Sequence, residues 1–204
     1  FYDDRVSHDE SLSALDDLVR SGKVRYIGCS NYLAYQLATA LGRSDVNKWE
    51  RFASVQPRYN MLFRENEREL LPLCAEQGLA VIPYNPLAGG FLTGKHKKGA
   101  PTADTRFTIG GGTAERYQER YWQDQMFSTL DALHGIAAEA DMTVAQLAIA
   151  WQFTRPTITS PIIGASKPEQ LVDAVNAVRT PLSAELTQRL DVLTHEYRYG
   201  DSAR

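Results

Sequence analysis

Helical stripes and short β-branched runs alternate along this 204-residue chain, and that alternation constrains the fold more than any other feature. "ESLSALDDLVRSGKV" places Leu12, Leu15, Leu18 and Val19 on one helical stripe and stops at Gly22. "TVAQLAIAWQF" and "EQLVDAVNAV" repeat the spacing, and "SAELTQRLDVL" predicts a C-terminal helix capped by Ser183. Four capping-box pairs mark helix starts: Ser7 with Glu10, Asn66 with Glu69, Thr143 with Gln146, and Ser166 with Glu169. Between the helices lie "VRYIGCS" (24–30), "FASVQP" (52–57), "LAVIPY" (79–84) and "SPIIGAS" (160–166). These runs are too short for helices and rich in strand-forming residues. The order predicts an α/β fold whose parallel sheet is built from β–α–β units. A (β/α)8 barrel needs eight strands and about 250 residues. Four strands therefore give either an open α/β layer or part of a barrel. Residues 95–120 break the rhythm with "GGG" (Gly110 to Gly112) and few aliphatics, and the wider segment 95–125 is read as a mobile loop insert.

Composition excludes several classes. A net charge of -3 and 43% hydrophobic residues describe an ordinary globular domain with no bias toward nucleic acid. The run "KHKK" (Lys95 to Lys98) reads as a solvated loop, and His8, His96, His134 and His195 read as surface or local structure. Cys29 and Cys74 lack metal-ligand spacing, so no metal site is expected. They fit a reducing, cytoplasmic setting without a structural disulfide. No apolar run approaches the roughly 20 residues of a membrane span. "FYDDRVSHDE" has neither the basic start nor the apolar stretch of a signal peptide, and its lack of a first Met reads as a cut or processed start.

In parallel α/β folds, ligands bind beyond the carboxyl ends of strands. Here each run ends in small or polar residues: "CSN" (29–31), "QPRYN" (56–60), "YNPLAGG" (84–90) and "GASKPEQL" (164–171). A Ser–Asn pair with a Gln can grip a planar carboxamide. A tyrosine fixed between Pro83 and Pro86 can stack on a flat ring. Glycines let backbone N–H groups approach a pyrophosphate. A helix start at Ser166 to Pro168, with Lys167 beside it, attracts a further phosphate. Together they suit a nicotinamide dinucleotide. Arg58 and Tyr59 read equally well as structural or as ligand-binding.

"GKVRYIGCSN", "VQPRYN", "IPYNPLAGGFLTGK" and "PIIGASKPEQL" closely resemble the aldo-keto reductase family, in particular its bacterial branch, which is similar to potassium channel β subunits. The resemblance implies a (β/α)8 TIM-barrel fold of which residues 1–204 supply only the C-terminal four strands and their helices. It also implies an NADPH-dependent oxidoreductase acting on a small aldehyde or ketone, with NADPH favoured over NADH. Carried over by motif, Ser30, Asn31 and Gln56 would hold the nicotinamide carboxamide, and Tyr84 would stack on the ring. Asn85, Pro86, Leu87, Ala88 and Gly89 would line the pyrophosphate, with Lys95 and Arg106 closing over it. Gly164, Ser166, Lys167 and Gln170 would surround the adenosine 2′-phosphate. Asp173 would approach the adenine, but Ala174 stands where the family often has Asn, which leaves one adenine contact in doubt.

The family's proton-donating tyrosine, with its lysine, aspartate and histidine, belongs to segments before Phe1. No catalytic residue is expected within the chain, and on its own the chain is expected to be inactive, since general acid help is worth about 10²–10⁴-fold. An alternative class is a cofactor-binding sensor or subunit without turnover, as in the channel β subunits. Exposed sheet edges also give the chain a surface for self-association.

Overall fold

The computed structural model describes residues 2–200. They form two compact units, one from residues up to Arg58 with Asn66–Pro83 and Thr157–Ser160, the other from Tyr59–Glu65, Tyr84–Pro156 and Pro161 onward.

The first unit is the sheet unit. Its elements are α1 (His8–Arg20), β1 (Ile27–Ser30), α2 (Ala34–Asn47), β2 (Phe52–Gln56), α3 (Leu70–Gln77) and β3 (Ala80–Val81). The strands lie in the order β1–β2–β3 and are all parallel. Helices span each crossover, as parallel neighbours require. Ser7 starts α1 by accepting the Glu10 N–H at 3.1 Å, so the serine half of the first capping box is present. On α2 the side chains of Leu37, Ala40, Leu41 and Ser44 are buried at helical spacing. They join a core that includes Leu12, Val55, Cys74 and Val81. Leu18 departs from its predicted stripe and is exposed, while Asp16 is buried. Asp16 is satisfied there because it accepts the Glu50 N–H at 2.8 Å and pairs with Arg20. Gly28 is required by the register, because a Cβ there would meet Ser54 Oγ at 2.5 Å and the Ser54 carbonyl oxygen at 2.9 Å.

Three of the four predicted runs contain the strands. The fourth, 160–166, forms no strand among the described residues and carries one isolated parallel bridge, Ile162 to Tyr84, with a second bridge just ahead of the run. In the sheet unit Ile158 bridges Val81. There the Thr159 side chain accepts the Val81 N–H at 3.1 Å, taking a donor that a regular ladder would use. Pro161 follows and has no N–H to offer. The Asn66 box also fails: α3 begins at Leu70, and Asn66 Nδ2 donates to the Arg58 carbonyl at 2.7 Å.

The second unit is helical. It holds α4 (Gly112–Tyr121), α5 (Asp124–Glu139), α6 (Val144–Phe153), α7 (Val172–Arg179) and α8 (Ala184–Leu193), with a 3₁₀ turn over Ala88–Thr93. Thr143 and Gln146 cap α6 reciprocally, and Ser183 caps α8 by accepting the Leu186 N–H at 3.1 Å. Eight of the ten residues of α6 are buried, so it is the axis of this unit. Trp151 on α6 stacks on Tyr59 with ring centroids 5.4 Å apart. Its indole N–H donates to Asp191 at 2.8 Å, and the guanidiniums of Arg64 and Arg155 lie 5.0 and 4.5 Å from its ring. Tyr59 is thereby structural, with no exposed surface.

The segment 95–125, expected to be an irregular loop, carries helix α4 and an aromatic core of its own. Phe107 and Tyr121 are fully buried, and Trp122 packs 4.9 Å from Phe107 and 5.1 Å from Phe127. His96, read as surface or local structure, is only 4% exposed and is therefore the second of these. His134 and His195 are exposed as expected.

Candidate functional site

In the sheet unit, the carboxyl ends of β1 and β2 bring Ser30, Asn31 and Gln56 together. Ser30 and Gln56 are register partners. Ser30 Oγ donates to the Gln56 carbonyl at 2.8 Å, and the Asn31 N–H donates to the same oxygen at 3.3 Å. Asn31 Nδ2 donates to Ser30 Oγ at 3.1 Å. Asn31 sits at φ +55°, a left-handed conformation that asparagine tolerates better than most residues, and this turns the chain out of the strand. The Gln56 side chain is exposed, so one amide presents both a donor and an acceptor beside a hydroxyl. Burial pushes the thiol of the adjoining Cys29 up to about 12, which removes it as a nucleophile at neutral pH.

In the helical unit, the stretch after Tyr84 is a tight turn. Tyr84 is half-buried, its carbonyl accepts the Tyr59 N–H at 3.3 Å, and it bridges Ile162 in parallel fashion. Asn85 has φ +65° and its Oδ1 accepts the Gly89 N–H. The Ala88 N–H donates to the Asn85 carbonyl at 3.0 Å, and the Gly90 N–H donates to the Leu87 carbonyl at 2.8 Å. Three consecutive amides that the sequence offered to a pyrophosphate are therefore bonded within the turn. Pro86 is buried, and the Leu87 side chain packs on Ile149, Ala150, Ala174 and Ala177. The glycine at 89 answers a different demand: a Cβ there would lie 2.4 Å from the Tyr117 ring.

Two residues that sequence reasoning missed hold this turn. Tyr121 accepts the amide N–H of both Asn60 and Asn85, each at 3.1 Å. Asn60 also donates to the Asn85 carbonyl at 3.0 Å. The i, i+4 pair Tyr117 and Tyr121 was the available signal, masked by the glycines that precede α4.

Cationic groups remain available to an anion. Lys95 and Arg106 are exposed. The Arg106 guanidinium lies 5.9 Å from the Tyr117 ring centroid, and its Nη2 would be 3.9 Å from a Cβ on Gly164. Further on, Gln170 Oε1 accepts from the Ser166 N–H at 2.8 Å and from Ser166 Oγ at 3.2 Å. The fourth capping box does not form: Lys167 is the N-cap, and Gln170, not Glu169, reaches back to Ser166. The element that follows is a 3₁₀ turn over Pro168–Leu171 that runs into α7. Lys167 is exposed beside it. Asp173 accepts a hydrogen bond from Thr143 Oγ1 at 3.2 Å, and Ala174 is buried in the α6–α7 contact.

Among the described residues, no group of three or more His, Cys, Asp or Glu side chains could hold a metal ion. None of the described helices is long and apolar enough to cross a membrane.

A sequence profile of the aldo/keto reductase family matches residues 2–194. A Schizosaccharomyces pombe protein named as an aryl-alcohol dehydrogenase is 36% identical over 184 residues, covering 90% of this chain and 50% of its own length. Versiconal hemiacetal acetate reductase of Aspergillus parasiticus is 31% identical, over 93% of this chain and 54% of its own. An Arabidopsis thaliana protein named as a voltage-gated potassium channel β subunit is 35% identical, over 83% of this chain and 52% of its own. The chain spans about half the length of these curated relatives.

Proposed function

This chain belongs to the aldo/keto reductase family, and on that premise we propose that it carries the cofactor-binding part of an oxidoreductase that uses NADPH to reduce an aldehyde or ketone. The observation that carries the reading is the polar triad at the strand ends. Ser30, Asn31 and Gln56 are locked by the 2.8 Å Ser30–Gln56 bond into an arrangement of hydroxyl and amides that complements a carboxamide.

The residues fit the cofactor in three further respects. Tyr84 is a half-buried ring on a backbone fixed by Tyr59, suited to stacking on a flat heterocycle. Lys95 and Arg106 supply positive charge for a pyrophosphate, a role the internally bonded amides of Ala88, Gly89 and Gly90 leave to side chains. Ser166, Lys167 and Gln170, next to Gly164, offer a hydroxyl, an ammonium and an amide to a 2′-phosphate, and this favours NADPH over NADH. Asp173, engaged with Thr143, anchors the start of α6 and meets the adenine only through its remaining oxygen.

The reduced nicotinamide supplies the hydride. The chain's residues would bind and orient: the triad would hold the carboxamide, and Tyr84 would stack on a flat ring. The reading assigns no proton donor within residues 1–204, so the carbonyl oxygen takes its proton from a group outside them.

Titrating NADPH and NADH into the protein while following tyrosine and tryptophan fluorescence tests this reading. NADPH is expected to bind at least about tenfold more tightly than NADH, and Tyr84→Ala to weaken both by a similar factor. Equal affinities would remove the 2′-phosphate assignment. No quenching by either nucleotide would remove the cofactor reading. Rapid turnover of aldehydes by residues 1–204 alone would contradict the assignment of the proton donor to a group outside them.

A further inference from the structure

His96 has no place in the reading above. It is 4% exposed, and neither ring nitrogen has a hydrogen-bond partner among the described residues. Its ring lies parallel to Phe91 with centroids 6.2 Å apart, and meets Phe107 at 5.0 Å and Trp122 at 5.2 Å, both edge-on. An imidazole enclosed by three uncharged aromatic rings stays neutral, because the charged form would lose its water with no hydrogen-bond acceptor in exchange. Burial, aided by the charge of Lys95, brings its pKa down to about 4.

The sequence positions of these rings give the cluster a consequence. His96 directly follows Lys95, and Phe107 directly follows Arg106. The His96–Phe107 contact therefore sets the spacing between two exposed cations that are far apart along the chain. Phe91 belongs to the same 3₁₀ turn as Gly89 and Gly90, so the contact with His96 also ties Lys95 to that turn. Long cationic side chains lose rotamer freedom when they grip a phosphate, and a fixed backbone beneath them lowers that cost.

We propose that His96 is a positioning residue: as a buried neutral ring it holds Lys95 and Arg106 at the separation needed for both to engage one pyrophosphate. The inference rests on the cofactor reading. In its terms, the shape of the ring is what counts, and the imidazole nitrogens add nothing to affinity.

The test is a set of NADP⁺ titrations on the wild-type protein, His96→Ala, His96→Phe, the Lys95→Ala/Arg106→Ala pair, and the triple variant that adds His96→Ala. Each is paired with a urea midpoint. Removing both cations should weaken NADP⁺ by about tenfold or more. His96→Ala should also weaken it, by roughly tenfold, while His96→Phe stays within about threefold of wild type. In the triple variant, His96→Ala should add less than about twofold, because the groups it acts through are gone. A general loosening of the fold would instead lower affinity equally in both backgrounds. If His96→Ala fails to fold, His96→Leu keeps the apolar volume without the planar ring and is read in its place. If the Lys95/Arg106 pair binds as wild type does, the phosphate assignment fails and His96 is not implicated. If the pair weakens binding but His96→Ala has no effect, adds its full effect in the triple variant, or is matched by His96→Phe, the positioning role is overturned.

Discussion

Replacing His96 with phenylalanine should make the protein more resistant to acid. The imidazole falls from an ordinary 6.5 to about 4 in the folded state, chiefly through burial, with Lys95 as the adjoining charge. Its ring neighbours Phe91, Phe107 and Trp122 carry no charge. Between pH 6.5 and 4 the unfolded chain binds a proton at this site that the folded chain refuses. Stability contributed here is therefore complete above the unfolded value and is lost as the pH falls toward 4. At about pH 5 the loss is about 2 kcal/mol, against almost nothing at about pH 7.5. With a urea slope of about 2–3 kcal/mol/M for a chain of this size, the wild-type midpoint should drop by about 0.7–1 M more than that of His96→Phe between those pH values. Carboxylate titrations are common to both proteins and cancel in the comparison. At neutral pH the variant should lie within about 1 kcal/mol of wild type, since one planar ring replaces another and two buried nitrogens disappear. Parallel midpoint shifts in the two proteins would show that the folded imidazole takes up its proton freely, and the enclosed aromatic box would be wrong.

Gly89→Ala should cost about 1–3 kcal/mol, because the backbone has φ +71° and the new methyl would meet the Tyr117 ring at 2.4 Å. Placing it in a Tyr117→Ala background should recover the steric share and leave about 1 kcal/mol of left-handed strain, measurable as a smaller shift in Tm. Undiminished cost in that background would remove Tyr117 as the reason for the glycine. Buried Cys74, pushed up to about 11, should label with a thiol reagent at about pH 8 no faster than the protein unfolds, and half-buried Cys29, pushed up to about 12, should label much more slowly than a free thiol. Rapid labelling of Cys29 in native protein would contradict its enclosed setting.

The sheet was legible because its code is local. β1, β2 and β3 fall inside the predicted runs, where apolar and β-branched residues cluster between turn signals. The fourth run looked equally strand-like, yet Pro161 cannot donate and the Thr159 side chain takes the Val81 N–H, so hydrogen bonding stops at single bridges. The Ser7, Thr143 and Ser183 caps were readable for the same local reason. Asn66 was not, because its amide is claimed by the Arg58 carbonyl, a partner that spacing along a helix does not reveal. The insert escaped for a different cause. A search for aliphatic stripes finds nothing in residues 95–125, whose core consists of His96, Phe107, Tyr121 and Trp122. His96, Phe107 and Trp122 meet Phe91, and Trp122 also meets Phe127, contacts that only the tertiary structure assembles.

The motif "YNPLAGG" shows how a glycine-rich turn can close itself to the anion that its glycines suggest. Its glycines suggested bare amides waiting for phosphate. In the structure the turn satisfies its own amides: Asn85 takes the Gly89 N–H, and the carbonyls of Asn85 and Leu87 take the next donors. Tyr121 then fixes the Asn85 amide, while Asn60 donates to both its carbonyl and the Tyr121 hydroxyl. A turn braced this way is rigid before any ligand arrives, and rigidity lowers the entropy that binding must overcome. The same bracing withdraws the backbone from anion recognition. On the proposed reading, charge neutralisation would fall to Lys95 and Arg106, and what holds their backbones in place would then matter for affinity. The proposal would give a purpose to the pairing in sequence of two exposed cations, Lys95 and Arg106, with the buried, contacting rings of His96 and Phe107.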